Sequence, residues 1–298
     1  MNFCFRLGVW VLLLHVLVGC DQLELPWKQA PAVKLTTEQI RTRIALQQEM
    51  ADFKDRLKQV QTHIDQSREH LSDLRAAHKD KFHGDDIEVN GRAPLGSDQA
   101  MVAIVEFTDF QCPYCARHAA EVLPLLKRNY IDSGKLRYFI RDFPLANHTQ
   151  ARYAAVVALC AEEQGRYWQM HDVLFRNQKR LNPRLYLSLS RDIGLDPTRM
   201  SACLINPEAV KKVEADVLYG QSIGVSTTPK FFVGIVAAGR MTNVIMIKGA
   251  RPYAEFSAAI ELLLDLDTTT KDMRSALQEK IALTREVARV EAGLSAFE

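Results

Sequence analysis

The sequence predicts an α/β domain with a long helix at each end. Three observations predict it. An apolar run, Val102 to Thr108, leads directly into Cys112-Pro113-Tyr114-Cys115 and a helical pattern. A block from Asn147 to about Ser222 reads as helix and is flanked on both sides by strand-like segments. Residues 36–83 and 269–298 each carry an apolar seam at heptad spacing.

The chain has 298 residues, enough for one good-sized domain with accessories, and 47% of them are apolar, enough for a substantial core. A formal net charge of +2 gives no electrostatic footprint for nucleic acid.

Arg6 precedes an apolar run, Leu7 to Gly19, that is too short to span a bilayer as a helix. A charged start, a short apolar core and small residues before a cut describe a secretory signal over residues 1–19. The cut region Leu17-Val18-Gly19-Cys20 resembles a bacterial lipoprotein signal. The resemblance implies cleavage before Cys20 and a lipid on its thiol, hence a membrane contact through that lipid. Asp21 is similar to an inner-membrane retention signal. The implied location is the bacterial cell envelope, on the periplasmic side. Residues 20–35 have no period and read as a tether.

Residues 36–83 contain no Gly or Pro. Leu46, Met50, Phe53, Leu57, Val60, Ile64, Ser67, Leu71 and Leu74 alternate four and three residues apart, with Ser67 the one polar break. Thr36 or Thr37 can cap the helix and Gly84 can stop it. So narrow a stripe needs a partner helix. Two arrangements supply one: a coiled-coil stalk that makes a homo-oligomer, which is the expectation, or packing back on the same chain. His63, His70 and His78 lie here as solvated surface residues, and no metal site is read.

The central region runs from 84 to 268. Ile87 to Val89 read as an edge strand and Asn90 to Gly96 as turns. Val102 to Thr108 has almost no polar alternation, as for a strand covered on both faces. Pro113 suits the first turn of the following helix, where its missing N–H is no loss. The helical pattern from Ala116 to Tyr130 puts Val122, Leu125, Leu126 and Tyr130 on one face. Cys112 then sits at a helix N-terminus, where free N–H groups and the dipole favour a thiolate. Cys115, one turn later, is its resolving partner. A zinc site would need further Cys or His ligands, and His118 is the only histidine nearby. Leu136 to Ile140 form the next strand and close a right-handed β-α-β unit. The helical block breaks at Asn182-Pro183, Gly194, Pro197 and Asn206-Pro207. Trp168, Met170, Val173, Leu174 and Phe175 belong to its core. Strands return at Lys230–Val233 and Val244–Ile247, followed by a helix Tyr253–Leu266. The polar run Asp267 to Lys271 separates it from the C-terminal helix, whose seam Met273, Ala276, Lys280, Leu283, Val287, Val290, Leu294 and Phe297 can dock on the stalk.

The run Glu106-Phe107-Thr108-Asp109-Phe110-Gln111-Cys112-Pro113-Tyr114-Cys115 resembles the active site of the DsbA-like thioredoxin-fold thiol–disulfide oxidoreductases. The resemblance continues through Phe139 to Leu145, Cys160 to Gly165 and Gly224 to Pro229, and covers about residues 86–266. It implies a thioredoxin fold with an inserted helical domain at about 147–222. It also implies a cis proline at Pro229, whose preceding residue, Thr228, faces Cys112 and can pair with an extended substrate strand. Pro113, Tyr114, Thr228 and Pro229 are thus the substrate-facing set. Glu106 resembles the buried acid that exchanges a proton with the resolving cysteine. The alternative for it is a structural ion pair, with Lys230 as partner. Asp109 is assigned no role. Cys160 and Cys203 remain over; an oxidising compartment favours a disulfide between them, and two buried free thiols are the other reading.

The chemistry expected is thiol–disulfide exchange, carried by the two thiols without a cofactor. Its partners are proteins bearing thiols or disulfides and a redox partner that recycles the site. C-P-Y-C lacks the cationic histidine of strongly oxidising C-P-H-C sites, so the expected direction is isomerase or reductase, with a disulfide-forming oxidase as the alternative. A reading of another class is a lipid-anchored oligomeric chaperone or scaffold.

Overall fold

The structure, a computed structural model, describes residues 35–79, 87–89 and 92–297. The predicted signal segment, Cys20, the tether up to Lys34 and Gly84 lie outside the described residues.

A six-stranded sheet is the centre of the fold. Its strands are β1 (Ile87–Glu88), β2 (Arg92–Leu95), β3 (Val102–Thr108), β4 (Leu136–Asp142), β5 (Lys230–Ala237) and β6 (Arg240–Lys248), in the spatial order β1-β6-β5-β3-β4-β2. β3 and β4 are parallel, with Val102 opposite Leu136 and Thr108 opposite Asp142; every other neighbouring pair is antiparallel. All seven residues of β3 are buried, so both faces of the central strand are covered.

Between β3 and β4 run α2 (Pro113–Glu121), the short α3 (Leu123–Leu126) and a wider turn, Lys127–Ile131. The sequence pattern predicts one continuous helix here. The break falls at Val122, two residues before Pro124, which has no N–H to give and whose ring crowds the carbonyl four residues back. The helical block comprises α4 (Ala151–Glu162), α5 (Tyr167–Arg176), a short 3₁₀ turn Gln178–Arg180, α6 (Pro183–Asp192), α7 (Pro197–Leu204) and α8 (Pro207–Ser222). Asn182, Asp196 and Asn206 each cap the helix that a proline then opens, which is why the breaks were visible in the sequence. Cys160 and Cys203 are joined by an S–S bond of 2.00 Å across α4 and α7. Met170, Leu174 and Phe175 are buried in this block, with Trp168 and Val173 packed against them.

Two stretches differ from what the sequence predicts. The segment expected as turns at 90–96 contains β2, an edge strand on β4; Pro94 is tolerated because an edge strand leaves one row of N–H groups unused. β5 and β6 are longer than predicted. They meet in a tight hairpin in which Ala238 and Gly239 both have positive φ, and the Ala-Ala-Gly sequence hides that turn.

The two faces of the sheet bury separate cores. Val102, Ile104, Tyr138, Phe231 and Ile247 pack with α2, α4 and α5 and the start of α9 (Tyr253–Ser295). Ala103, Val105, Phe107, Phe139 and Phe232 pack on the other side with Val217 and Tyr219 of α8 and with Ile223 just after it. Gly220 makes that approach close: a Cβ there would lie 2.9 Å from the rings of Phe107 and Phe143.

The N-terminal helix α1 (Thr37–Ala77) starts with a reciprocal cap between Thr36 and Gln39. It closes earlier than the predicted position 83, where His78 Nδ1 turns back on the Leu74 carbonyl at 3.0 Å. Helix α9 runs straight through the polar segment 267–271, so the two helices predicted at 253–266 and 269–298 are one. Thr268 and Thr270 each return their hydroxyl to the carbonyl four residues back, and Lys271 pairs with Asp267 at 2.7 Å. These local bonds satisfy the polar run inside the helix.

α1 and α9 lie antiparallel. Met50, Val60, Ile64, Ser67 and Leu71 on α1 are buried, as are Ala276, Leu283 and Val290 on α9. Arg56–Glu279 at 3.2 Å and Arg289–Glu49 at 2.7 Å flank the seam. The partner that the narrow stripe requires is therefore the chain's own C-terminal helix. The uncovered stripe from which a homo-oligomer was expected is covered within one chain. Among the described residues no helix is long and apolar enough to cross a membrane.

Candidate active site

The end of β3 delivers the chain to α2 through a loop held by one side chain. Asp109 Oδ1 accepts the N–H of Gln111 at 2.7 Å and of Cys112 at 3.2 Å. Its Oδ2 accepts the N–H of Leu145 at 2.8 Å and faces His148 Nδ1 at 2.8 Å. Asp109 therefore has a role that the sequence reading denied it: it ties the Cys112 turn to the segment after β4. An Asp three residues before a helix start is a turn-former, and that was the available signal. From the helical block, Gln178 Nε2 donates to the carbonyls of Phe110 at 3.0 Å and Cys112 at 2.8 Å. Nothing local in the sequence marks Gln178.

Cys112 is the cap residue of α2, with extended backbone (φ −72°, ψ 119°), and Pro113 occupies the first turn. Both Cys112 and Cys115 are free thiols and buried, Cys112 at 3% exposure and Cys115 at 0%. The two are driven apart in acidity. The Cys112 thiol falls from 9.0 to about 5, foremost because the Cys115 side chain hydrogen-bonds its sulfur; the N–H groups of Cys115 and Tyr114 add to this against the cost of burial. The Cys115 thiol is pushed well up, first by burial and then by Cys112 and the charge of Glu106.

The Thr228–Pro229 bond is cis, and the Thr228 carbonyl accepts from Cys112 Sγ at 3.4 Å. Pro229 is held from behind by the Gly249 N–H at 2.9 Å. Tyr114 is exposed, with the Arg117 guanidinium 5.5 Å above its ring. Cys112, Cys115, Pro113, Tyr114, Thr228 and Pro229 thus meet at one end of the sheet.

Glu106 lies beneath them, 2% exposed, on the sheet face that carries Ile104 of β3 and Tyr138 of β4. Its partner is Tyr138, whose hydroxyl donates to Oε2 at 2.6 Å. Lys230, the alternative partner, sits opposite Phe107 in register, which sends its side chain to the other face; its Nζ donates to the Gly224 carbonyl at 2.6 Å. Burial is the main cause that lifts Glu106 from 4.5 to about 7.

The thioredoxin family profile, described as "Thioredoxin", matches residues 88–261. This chain belongs to the thioredoxin family. It is 31% identical over 147 residues to "Probable disulfide bond formation protein D" of Bacillus anthracis, covering 47% of this chain and 68% of that protein, and this places it in the DsbA-like branch. The "Na(+)/H(+) antiporter NhaA 3" of Salinispora tropica is 37% identical over 139 residues, 46% of this chain. The chain spans only 21% of that antiporter's length. Among solved structures, alpha-DsbA1 of Wolbachia pipientis superposes with a TM-score of 0.53 at 22% identity, covering 61% of this chain and 92% of that one, which supports the fold. The family match leaves α1 and most of α9 outside it.

Proposed function

We propose that this DsbA-like protein catalyses thiol–disulfide exchange on proteins outside the cytoplasm, with net oxidation of substrate thiols as the favoured direction. The observation that carries the direction is the place of Cys112 as the cap residue of α2, where the helix N-terminus favours a thiolate; its thiol, lowered to about 5, makes the sulfur a good leaving group. This departs from the isomerase or reductase expectation drawn from Tyr114. The pull on Cys112 comes from Cys115 and from backbone N–H groups, and it does not require a cationic residue between the cysteines.

In the oxidising direction a substrate thiolate attacks Sγ of Cys112 in the Cys112–Cys115 disulfide. Cys115 leaves and takes a proton from Glu106. A second substrate thiolate then attacks the substrate sulfur of the mixed disulfide and expels the Cys112 thiolate. Two electrons pass from substrate to the cysteine pair, and a redox partner removes them. The Thr228 backbone beside Cys112, with Pro113, Tyr114 and Pro229, lines the place where an extended substrate strand would lie. The lipid on Cys20 and the envelope location rest on the sequence motif.

The test is a reduced, unfolded disulfide protein and a scrambled one, each incubated with the purified chain in a glutathione buffer. Disulfide formation in the first, lost in Cys112→Ser, is the expected result. Reshuffling of the second without oxidation of the first would turn the reading to isomerase. Biological activity retained by Cys112→Ser would support the scaffold instead. The reduced form has a definite sign with pH. A thiol moved from 9.0 to about 5 makes reduced protein gain stability relative to oxidised protein as pH rises from about 5 to 9. Thiolate absorbance in the ultraviolet should titrate with a midpoint near 5.

A further inference from the structure

Phe110, Gln111 and Cys112 carry the chain from the end of β3 into α2, and the backbone groups of this turn are gathered from two sides. Asp109, from the sheet, takes the N–H groups of Gln111 and Cys112. Gln178, from the helical block, takes the carbonyls. Its one amide nitrogen donates to Phe110 O at 3.0 Å and to Cys112 O at 2.8 Å, which spends both of its N–H groups. Two carbonyl oxygens that converge on one nitrogen repel each other once the donor between them is gone. The same block reaches the rest of the turn. Gln111 Oε1 accepts the Gln150 N–H at 2.5 Å, and the Phe110 ring lies 4.9 Å from that of Phe175 on α5. The Cys112 carbonyl is also where α2 begins, since it accepts the Ala116 N–H at 3.1 Å.

We propose that Gln178 is a positioning residue for the exchange reaction: by pinning the Phe110 and Cys112 carbonyls together, it lets the inserted helical block set how well the first turn of α2 holds a negative charge on Cys112 Sγ. The proposal rests on the exchange reading above.

The bonds Gln178 makes are to backbone oxygen, so it acts on the sulfur through the turn. The ψ of Cys112, 119°, sets where its carbonyl points. The same rotation sets where the N–H groups of Tyr114 and Cys115 stand relative to Sγ. Those N–H groups favour the thiolate, so fixing the carbonyl fixes the donors. Gln178 is itself held in place. The turn Gln178–Arg180 is closed by the Arg180 N–H on the Asn177 carbonyl at 2.8 Å, and Asn177 Nδ2 donates back to the Val173 carbonyl of α5 at 2.8 Å. Cys112 is the group expelled in the oxidising direction and the attacking thiolate in the reverse one. A turn that opens therefore weakens the stabilised thiolate on which both depend.

The experiment compares the full reduced chain with Gln178→Met, which keeps the length of the side chain and removes both donors, and with Gln178→Lys, which keeps donors and adds a positive charge. Thiolate absorbance is titrated in the ultraviolet, and the redox equilibrium with glutathione is measured at neutral pH. Gln178→Met should make the Cys112 thiol an about tenfold weaker acid, the fold-change that one net hydrogen bond is worth. The glutathione equilibrium should move toward oxidised protein by about the same factor. Gln178→Lys should move both the other way. In the wild type the side-chain amide proton resonances of Gln178 should shift with the same midpoint as the thiolate absorbance, which tests the coupling with no substitution. A merely structural role would lower the urea midpoint and leave the titration in place. A Gln178→Met titration that matches wild type, a Gln178→Lys titration that rises with that of Gln178→Met, or amide resonances that do not follow the sulfur would overturn the positioning role alone. A wild-type chain with no acidic thiol and no exchange with glutathione would overturn the exchange reading and this role with it.

Discussion

Asp109 and Glu106 are buried carboxylates three residues apart at the same end of β3, and they are treated in opposite ways. Asp109 receives three backbone N–H groups and a histidine ring. Glu106 receives the Tyr138 hydroxyl, and burial outweighs what that bond contributes. A carboxylate saturated with donors is a construction element: its charge is spent on holding a loop, and a proton would cost it those bonds. A carboxylate left short of donors by burial is poised between its two forms near neutral pH, which a proton shuttle needs. The number of donors, more than depth, separates the acid that builds the site from the acid that works in it.

Removing each carboxylate should therefore move stability in opposite directions. Asp109→Ala strands the N–H groups of Gln111, Cys112 and Leu145, and a stranded buried donor costs about 1–3 kcal/mol. With partial relief by water the loss should be about 3–5 kcal/mol, read by urea unfolding, and the Cys112 thiol should rise as its turn loosens. If stability fell by less than the cost of one stranded donor, Asp109 would not be the keystone of the loop.

Glu106→Gln should do the reverse, and only above a definite pH. Below 4.5 the carboxyl is protonated in both folded and unfolded chains, so the substitution is nearly silent. Between 4.5 and about 7 the unfolded chain ionises while the folded one keeps its proton, so wild-type stability falls as pH rises. Above about 7 the penalty is constant at roughly 3 kcal/mol, and the variant is more stable by about that amount. Urea midpoints of the reduced protein at pH 4, 6 and 8 would show the gap opening. The same variant should lose exchange activity, a stability–activity opposition that Asp109→Ala cannot show. A gap that is flat with pH would mean that Glu106 titrates normally and that the contrast is false.

The fold was legible where the signal is local. The buried β3 strand, the C-x-x-C helix, the proline-opened helices of the inserted block and both heptad seams can be read from spacing and cap residues alone. The seams also illustrate the limit. Periodicity shows that Ile64 and Leu283 each need a partner; that they need each other follows only from a sheet that returns the chain to its own start. The continuous α9 was missed because the run Asp267 to Lys271 reads as polar, whereas its hydroxyls and charges are satisfied within the helix. In the site, Cys112, Cys115 and Glu106 lie in one short run and can be found together. Tyr138, Gln178 and His148 come from three other segments, and each is unremarkable among its neighbours in sequence. The role of Tyr138 arises from parallel pairing of β3 with β4, which sets Glu106 opposite Ile140 and brings Tyr138 within reach on the same face; Gln178 and His148 reach the loop from the helical block and from the segment after β4.

The finest version of the contrast is a single donor. His148 is the only side-chain partner of Asp109 among its four, and its side chain is 19% exposed, so water can replace it. His148→Ala should cost about 1 kcal/mol, the worth of one hydrogen bond, because Asp109 keeps its three backbone donors. The thiolate titration of Cys112 should stay in place, since the bonds from Gln111 and Cys112 that shape the turn are untouched. A cost as large as that of Asp109→Ala would show that the histidine, and not the backbone, anchors the carboxylate. A shift in the Cys112 titration would show that the loop transmits changes from the far side of Asp109 to the sulfur. Donor number would then be too simple a rule, and the geometry of the most distant donor would have to be counted with it.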